Sequence, residues 1–289
     1  MPPASTVLRT RLAEDQPLVV PGVYDVLSAR LAARAGFEAV FVSGFAVSAT
    51  QLGEPDVGLL TQSELAAVAA RVCRGVTCPV IVDADTGYGG AANVMRTVAD
   101  LIHAGAAGLF LEDQVWPKRC GHMRGKRVVE TTEHVRRIRA AVRARADHDC
   151  VVVARTDARQ PLGLDAAIER ALAYRDAGAD ALFVEAPASA DELREIGRRL
   201  PAPLVANMVE GGVTPDLSAD ELAALGFRLI VYPVAALFAA THAITNVYTQ
   251  LRRDGTTRGA RASMISFADF NALIGLEAKY ALEEELEGD

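Results

Sequence analysis

The sequence predicts a (β/α)8 barrel, one closed parallel sheet ringed by helices, with an extra helix at the C-terminal end. Three observations carry this. Apolar strand-like runs alternate with helical periodicity eight times along 289 residues. The runs are continuously apolar rather than alternating, the pattern of strands covered on both faces. The composition is 51% hydrophobic but only 6% aromatic, so the core is aliphatic, which suits a barrel interior filled by branched side chains.

The first strand is expected over residues 18–25, followed by a helix over 26–35. The next pairs are strand 38–44 with helix 63–74, strand 79–87 with helix 92–103, and strand 107–112 with helix 132–145. Strand 150–157 precedes helix 164–177, and strand 181–185 precedes helix 190–200. Strand 203–207 leads to a short helix over 220–225, and strand 228–232 to a helix over 235–252. Gly36, Gly105, Gly178 and Gly226 each stand between a helix and the next strand, where a left-handed residue ends a helix before the chain turns back. An open doubly wound sheet would need a Gly-rich phosphate fingerprint after the first strand, and Gly22-Val23-Tyr24-Asp25 is not one. We expect one barrel domain over 1–289, with 257–289 as a helical extension. In that extension Ser266 caps a helix over 266–280, with Asp269 three residues on and Phe267, Phe270 and Ile274 along one stripe. This helix packs either on its own barrel or on a partner subunit.

Bulk properties narrow the function. A net charge of −7 and a pI near 5.4 argue against nucleic acid, whose phosphates demand a basic face. No apolar run approaches the roughly 18 residues that span a bilayer, and the N-terminus lacks a signal pattern. The cysteines Cys73, Cys78, Cys120 and Cys150 show neither zinc spacing nor a disulfide framework, so a cytoplasmic setting is expected. Cys73, Cys78 and Cys150 read as inert small apolar residues, and His103, His134, His148 and His242 as structural or surface groups.

In this fold every strand opens its C-terminal end on one mouth. Asp25, Ser43, Gly44, Asp83, Asp85, Glu112, Arg155, Asp157, Glu185, Asn207 and Tyr232 fall there. Asp83 and Asp85, two apart on a strand, should point the same way, and Asp113 away from Glu112. Such carboxylates need a positive charge among them. Oxygen-only donors favour Mg2+ or Mn2+ over zinc. Arg155 suits bidentate recognition of an anionic substrate, Asn207 adds donors, and the backbone N–H groups around Ser43, Gly44 and Phe45 could take another carboxylate. The loop 115–129 places Cys120 amid Lys118, Arg119, His122, Arg124 and Lys126, a cationic setting that favours the thiolate. Glycines at Gly121 and Gly125 let this loop fold over the mouth as a lid.

Asp83-Ala84-Asp85-Thr86-Gly87-Tyr88-Gly89, Glu112-Asp113-Gln114, Lys118-Arg119-Cys120-Gly121-His122 and Ala154-Arg155-Thr156-Asp157-Ala158 resemble signature segments of the isocitrate lyase/phosphoenolpyruvate mutase superfamily, over nearly the whole chain. Trp116-Pro117, Met123-Arg124-Gly125-Lys126 and Val184-Glu185-Ala186-Pro187 are similar to its branch of petal death protein and bacterial 2,3-dimethylmalate lyases, which cleave 2-alkylmalates or oxaloacetate. The resemblance implies that Asp83, Asp85 and Glu112 organise Mg2+, with Asp56 supporting them. It makes Cys120 the loop acid/base, sets Arg155 and Glu185 beside it in catalysis, and makes Ser43, Gly44, Phe45, Gly121, His122, Arg155 and Asn207 contacts to a small dicarboxylate. It also implies a homotetramer, a dimer of dimers in which the tail helix is exchanged. Phe238 stands where the similar methylisocitrate lyases carry an arginine for a third carboxylate. Ala235 stands where fungal oxaloacetate hydrolases place a serine. The loop motif is also shared with carboxyvinyl-carboxyphosphonate mutase, so hydrolysis of oxaloacetate, methylisocitrate cleavage and phosphorus–carbon chemistry stay open beside 2-alkylmalate cleavage. A barrel without catalysis is the remaining alternative.

Overall fold

Strands buried on both faces pair in parallel only if helices carry the chain back over them. The computed structural model, which describes residues 2–201 and 203–287, shows that arrangement closed on itself. In chain order the elements are α1 (Ala4–Leu12), β1 (Leu18–Val23), α2 (Val26–Arg34), β2 (Val40–Val42), α3 (Gly44–Val47), α4 (Gln62–Gly75), β3 (Val80–Asp83), α5 (Ala91–Ala104), β4 (Gly108–Glu112) and α6 (Thr131–Arg145). They continue with β5 (Val151–Thr156), α7 (Arg159–Leu162), α8 (Leu164–Asp176), β6 (Ala181–Val184), α9 (Ala190–Arg199), β7 (Leu204–Asn207), α10 (Ala219–Ala224), β8 (Phe227–Tyr232), α11 (Ala235–Asp254), α12 (Phe267–Ile274) and α13 (Leu276–Glu287). The barrel runs β1 to β8 in sequence order, and β1 pairs with β8 in parallel to close it. Gly36, Gly105, Gly178 and Gly226 all take positive φ, between 89° and 105°, as the helix-end pattern requires.

Two cores result. Val42, Val82, Leu109, Val152 and Leu182 face the surrounding helices, while Val20, Phe41, Ile81, Phe110, Val153 and Phe183 cluster apart from them. The Phe41 and Phe110 rings lie 4.8 Å apart, and those of Phe110 and Phe183 5.6 Å. That second cluster includes Leu8 and Leu12 of α1, a helix the sequence does not announce. It has no side-chain cap, and its buried residues are only those two. Arg9 of α1 pairs with Asp180 at 2.8 Å, tying it to the start of β6.

The chain divides into two compact units, with the boundary between Ala236 and Leu237. In the second, Gly275 at φ 81° splits the tail into α12 and α13, where one continuous helix was expected. Ser266 caps α12 as foreseen: its hydroxyl accepts from Asp269 N at 3.0 Å and donates to Asp269 Oδ2 at 2.7 Å. Residues 283–287 are exposed, and Gly288 and Asp289 of the acidic end lie outside the described residues. Among the described residues no helix is long and apolar enough to cross a membrane.

His134 of α6 is fully buried, with its ring edge-on to Tyr174 at 4.5 Å. Burial, with Arg137 next in effect, pushes its pKa down to about 3. The folded protein therefore binds fewer protons here than the unfolded chain once pH drops below the free histidine value of about 6.5. The stability this residue contributes is complete above that pH and is lost at about 1.4 kcal/mol per pH unit as pH falls toward 3. Urea unfolding of wild type and His134→Leu at pH 7 and pH 5 tests this. The wild type should lose more stability than the variant between the two pH values.

Candidate active site

The mouth is built from strand ends whose polar residues follow apolar runs. Asp83 ends β3, Glu112 ends β4, Arg155 sits on β5 with Asp157 just past it, Glu185 follows β6, and Asn207 ends β7. All except Asn207 are buried. Asp85 reaches the same place by another route than expected. β3 stops at Asp83, and Asp85 sits in the turn beyond it at φ 48°. A Cβ on Gly44 would stand 3.0 Å from Asp83 Oδ2 and 3.5 Å from Asp85 Oδ1. The two carboxylates therefore converge beside Gly44 through a turn, not through strand alternation.

Six buried carboxylates gather here (Asp56, Asp83, Asp85, Glu112, Asp157 and Glu185) against three buried cations, Lys118, Lys126 and Arg155. Lys118 Nζ lies 2.5 Å from Asp56 Oδ1 and 2.6 Å from Asp85 Oδ1. Arg155 is not free to grip a substrate with its whole fork. Nε and Nη2 donate to the two oxygens of Asp157 at 2.9 and 3.1 Å. Nη1 approaches Glu112 at 3.3 Å, and Nε lies 3.4 Å from Glu185. The ring of Phe183 lies 5.4 Å beneath the guanidinium. Asn207 Nδ2 likewise donates to Glu185, at 3.3 and 3.2 Å to its two oxygens.

The imbalance of charge shows in the acidities. Burial pushes Asp85 up to about 7, with Asp83 and Asp56 adding to it against the pull of Lys118. Burial also raises Asp83 and, further, Glu112. Asp157 and Glu185 fall below the usual carboxylate range: burial, the largest single effect, is outweighed only by Arg155 together with Lys126 at Asp157 and with His122 at Glu185. Glu112 Oε1 has no hydrogen-bond partner among the described residues. A hard divalent cation fits this donor set, oxygen-only and short of positive charge. As placed, however, no three His, Cys, Asp or Glu side chains among the described residues converge closely enough to hold an ion, and the ammonium of Lys118 stands between two of the four expected carboxylates.

The loop 115–129 is shut over this mouth. Its ends are laced by a Gln114–Val128 bridge and by Val115 N to Arg127 O at 2.8 Å. The Gln114 side chain clasps the backbone N and O of Arg119 at 3.0 and 2.7 Å. Cys120 N donates to Asp56 O at 3.0 Å, and Lys126 Nζ to Asp157 Oδ1 at 2.9 Å and to Gly121 O. His122 Nδ1 accepts from Val213 N at 3.0 Å. This assigns the ring proton to Nε2, which faces Glu185 Oε1 at 3.0 Å. A Cβ on Gly121 would fall 2.4 Å from Glu185 Cγ and 2.5 Å from Arg155 Nη2, so only glycine lets the loop settle this deep.

Two expectations are corrected. Cys120 is not poised as a thiolate: burial, joined by Asp56 and Glu185, pushes its pKa up to about 11 against Arg155 and the His122 N–H. The loop cations that were to lower it are engaged elsewhere: Lys118 on Asp56 and Asp85, Lys126 on Asp157, and Arg119 on Arg124 O at 2.9 Å. Nor does the Ser43 N–H face the mouth; it donates to Val23 O at 3.2 Å, while the Ser43 hydroxyl caps α3 by accepting from Ala46 N at 3.3 Å. Gly44 follows at the start of α3, and Phe45 is half-buried.

Asp113 points away from the mouth, as alternation requires. Its Oδ2 accepts from Thr156 Oγ1 at 2.7 Å, Tyr174 OH at 2.8 Å and Arg170 Nη1 at 3.2 Å. Its Oδ1 accepts from Asp157 N at 2.8 Å. Sequence reasoning missed the placement of Lys118 and Lys126 inside the site, and Tyr88, whose hydroxyl donates to Asp85 Oδ2 at 3.0 Å. The lysines carried only a basic-loop signal, and nothing local marks Tyr88 as a ligand of Asp85.

The sequence profile of the family described as phosphoenolpyruvate phosphomutase matches residues 8–252. The chain is 52% identical over 278 residues to carboxyvinyl-carboxyphosphonate phosphorylmutase, chloroplastic, of Arabidopsis thaliana, covering 94% of this chain and 82% of that one. It is 47% identical over 270 residues to 2,3-dimethylmalate lyase of Eubacterium barkeri, 93% of each chain. It is 47% identical over 281 residues to petal death protein of Dianthus caryophyllus, 97% and 88% of the two chains. Among solved structures, oxaloacetate acetylhydrolase with the inhibitor 3,3-difluorooxalacetate superposes with a TM-score of 0.94 at 37% identity, covering 99% of this chain and 98% of that one. A phosphonopyruvate hydrolase in complex with oxalate and Mg++ superposes at 0.89 and 33% identity, covering 98% and 99%.

Proposed function

The chain belongs to the phosphoenolpyruvate phosphomutase family of the isocitrate lyase/PEP mutase superfamily, and we propose that it is an Mg2+-dependent carbon–carbon lyase that cleaves a 2-alkylmalate-like dicarboxylate to a 2-keto acid and a carboxylate. The observation that carries this reading is a mouth of buried carboxylates short of positive charge, with a thiol-bearing loop shut over it. The likeness to 2,3-dimethylmalate lyase supports the substrate class, and a phosphonopyruvate hydrolase solved with oxalate and Mg++ supports the metal.

Asp83, Asp85 and Glu112, with Asp56 beside Lys118, would hold the ion. When bound it would offset the negative charge that develops on a 2-oxy acid as its C2–C3 bond breaks. The protein supplies the rest. Arg155, steadied by Asp157, turns Nη1 toward Glu112 and gives the mouth a fixed positive wall. Its bond pattern keeps it rigid, so a substrate carboxylate is oriented on arrival rather than captured by a mobile side chain. His122 Nε2 lies 3.0 Å from Glu185 Oε1, and Asn207 donates to the same carboxylate. Glu185 is thereby kept ionised beside the reacting carbon. As the C2 hydroxyl loses its proton to a base and the C2–C3 electron pair passes to C3, Cys120, a neutral thiol, gives its proton to that carbanion, and the thiolate left behind is reprotonated before the next turnover. The shut loop excludes water from that carbon. The same thiol, held protonated, suits a reducing cytoplasm.

The lid makes a further demand on one residue. Gly121→Ala is expected to lower kcat/KM about 100-fold through misplacement of Cys120, and to lower the melting temperature as well, because the unseated loop draws Lys118 and Lys126 away from their carboxylates. Steady-state kinetics beside thermal melting check both halves.

The tail supports an oligomer. Phe267 is 85% exposed, and Ile274, Tyr280 and Leu286 are exposed with it, a quantity of apolar surface that a second subunit would cover. We propose a homotetramer with tail exchange; light scattering that returned a monomer mass would contradict this.

The deciding experiment is a panel of racemic 2-alkylmalates assayed for release of the 2-keto acid that carries each C2 alkyl group (pyruvate for the 2-methyl compounds), run beside 2-methylisocitrate, oxaloacetate and phosphonopyruvate. That 2-keto acid from a 2-alkylmalate is the expected result. Oxalate plus acetate from oxaloacetate alone would favour the hydrolase reading, which the likeness to oxaloacetate acetylhydrolase recommends as the second. No turnover on any of them would sink both.

A further inference from the structure

Asp113 is fully buried on the side of the barrel wall away from the mouth, and no step of the proposed reaction uses it. Glu112 stands opposite Arg155 in the β4–β5 register, so the next pair, Asp113 and Thr156, turns outward beneath α8. Arg170 and Tyr174 of α8, four residues apart and so on one face, both reach its carboxylate. A buried ion pair adds little net stability over well-packed apolar side chains of the same volume, because desolvation offsets most of the attraction. What it does supply is direction, and here the direction runs two ways.

One way leads to Arg155. Asp113 Oδ1 accepts from Asp157 N at 2.8 Å, which fixes the backbone of the residue whose carboxylate takes Arg155 Nε and Nη2. The same Asp157 carboxylate takes Lys126 Nζ from the lid. The other way leads to the far limb of the lid. Arg170 Nη1 spans Asp113 Oδ2 at 3.2 Å and Val129 O at 2.8 Å, and Val129 N donates to Asp113 O at 2.9 Å. Val129 is the last residue of the loop 115–129, just before α6. One carboxylate therefore fixes both the support of Arg155 and the point from which the lid springs.

We propose that Asp113 is a positioning residue that holds Arg155 and the shut lid in one register, acting through Asp157 and Val129 without touching substrate, a role that rests on the lyase reading for the work of Arg155 and Cys120. Asp113→Asn keeps the size of the side chain and puts an amide NH2 where one oxygen stood. Either orientation of that amide sets donor against donor, at Asp157 N or at Arg170 Nη1, so one of the two ways is broken in both.

The test is iodoacetamide labelling of the full-length protein at pH 7.5 with Mg2+, followed peptide by peptide by mass spectrometry. Cys120 reports the lid, and Cys150, 1% exposed just before β5, reports opening of the barrel itself. In Asp113→Asn the rate at Cys120 relative to that at Cys150 should rise at least roughly tenfold, and kcat should fall at least roughly tenfold. Arg170→Met should raise the same ratio. Arg170→Lys should restore it toward wild type, since both bonds that matter leave a single nitrogen and an ammonium has donors for each. A residue that only stabilised the barrel would speed both cysteines together and leave their ratio at the wild-type value. That result in Asp113→Asn, or an Arg170→Lys protein labelled as fast as Arg170→Met, would overturn the proposal. If Asp113→Asn did not fold, the Arg170 pair would decide alone. The labelling ratio needs no substrate, so a wild type that turned over no 2-alkylmalate would sink the lyase reading separately.

Discussion

Stripping divalent ions with EDTA is expected to lower turnover of a 2-alkylmalate by at least roughly 10³-fold while barely moving the melting temperature. Loss of activity without loss of fold is the informative part. In most sites built from clustered carboxylates, removing the cation leaves like charges facing one another, and the fold loosens. Here the loop carries its own cation into the cluster. Lys118 sits between Asp56 and Asp85, and burial is outweighed by Asp85, Asp56, Glu112 and Asp83 in holding its pKa well above the ordinary value. It therefore stays charged at neutral pH and compensates Asp56 and Asp85 in the stripped mouth. The remaining strain is relieved by protonation, since burial has already pushed Asp85 up to about 7.

The comparison that separates this account from a general one is Lys118→Met. In that variant Asp56 and Asp85 lose the ammonium between them and depend on the divalent ion for compensation, so EDTA should now lower the melting temperature by several degrees. Differential scanning calorimetry of both proteins, with Mg2+ and with EDTA, reads the difference. If wild type and Lys118→Met melted with the same sensitivity to EDTA, Lys118 would have no such part.

The barrel was legible because its signal is local and repeated. Eight apolar runs and four glycines at helix ends suffice, since each strand carries its own pattern and needs no distant partner to be recognised. The composition of the mouth was legible for the same reason: Asp83, Glu112, Arg155 and Asn207 stand at strand ends, where the fold dictates their direction. What the sequence did not disclose is pairing. Lys118 and Asp56 are 62 positions apart, and nothing in either neighbourhood says that one will neutralise the other. The turn at Asp85 was hidden because a left-handed non-glycine residue looks, in sequence, like one more strand position. α1 was hidden because two leucines are too few to show a period. The state of Cys120 was misjudged by the same omission. Counting cations near it in sequence predicted a thiolate, whereas in space those cations turn toward carboxylates and burial governs.

That reversal leads to the second large effect. Cys120→Ser is expected to lower turnover by about 10³-fold, within the range general acid–base groups contribute, with the fold intact. The two side chains are nearly the same size, so the loop should still shut and substrate should still bind. KM should stay close to wild type and the loss should fall on kcat, the pattern of an interaction made only as the bond breaks. The chemical reason is acidity. A thiol pushed up to about 11 is still a far stronger acid than an alcohol, and it remains protonated at neutral pH, ready to give its proton to a carbanion. An enzyme that instead used Cys120 as a nucleophile would need it lowered, not raised. A second measurement distinguishes the two. Iodoacetamide at pH 7.5 should label Cys120 slowly while the lid is shut, and faster in Gly121→Ala, where the loop cannot seat. Rapid labelling of the wild type would show a thiolate at this position and remove the ground for treating the cysteine as an acid.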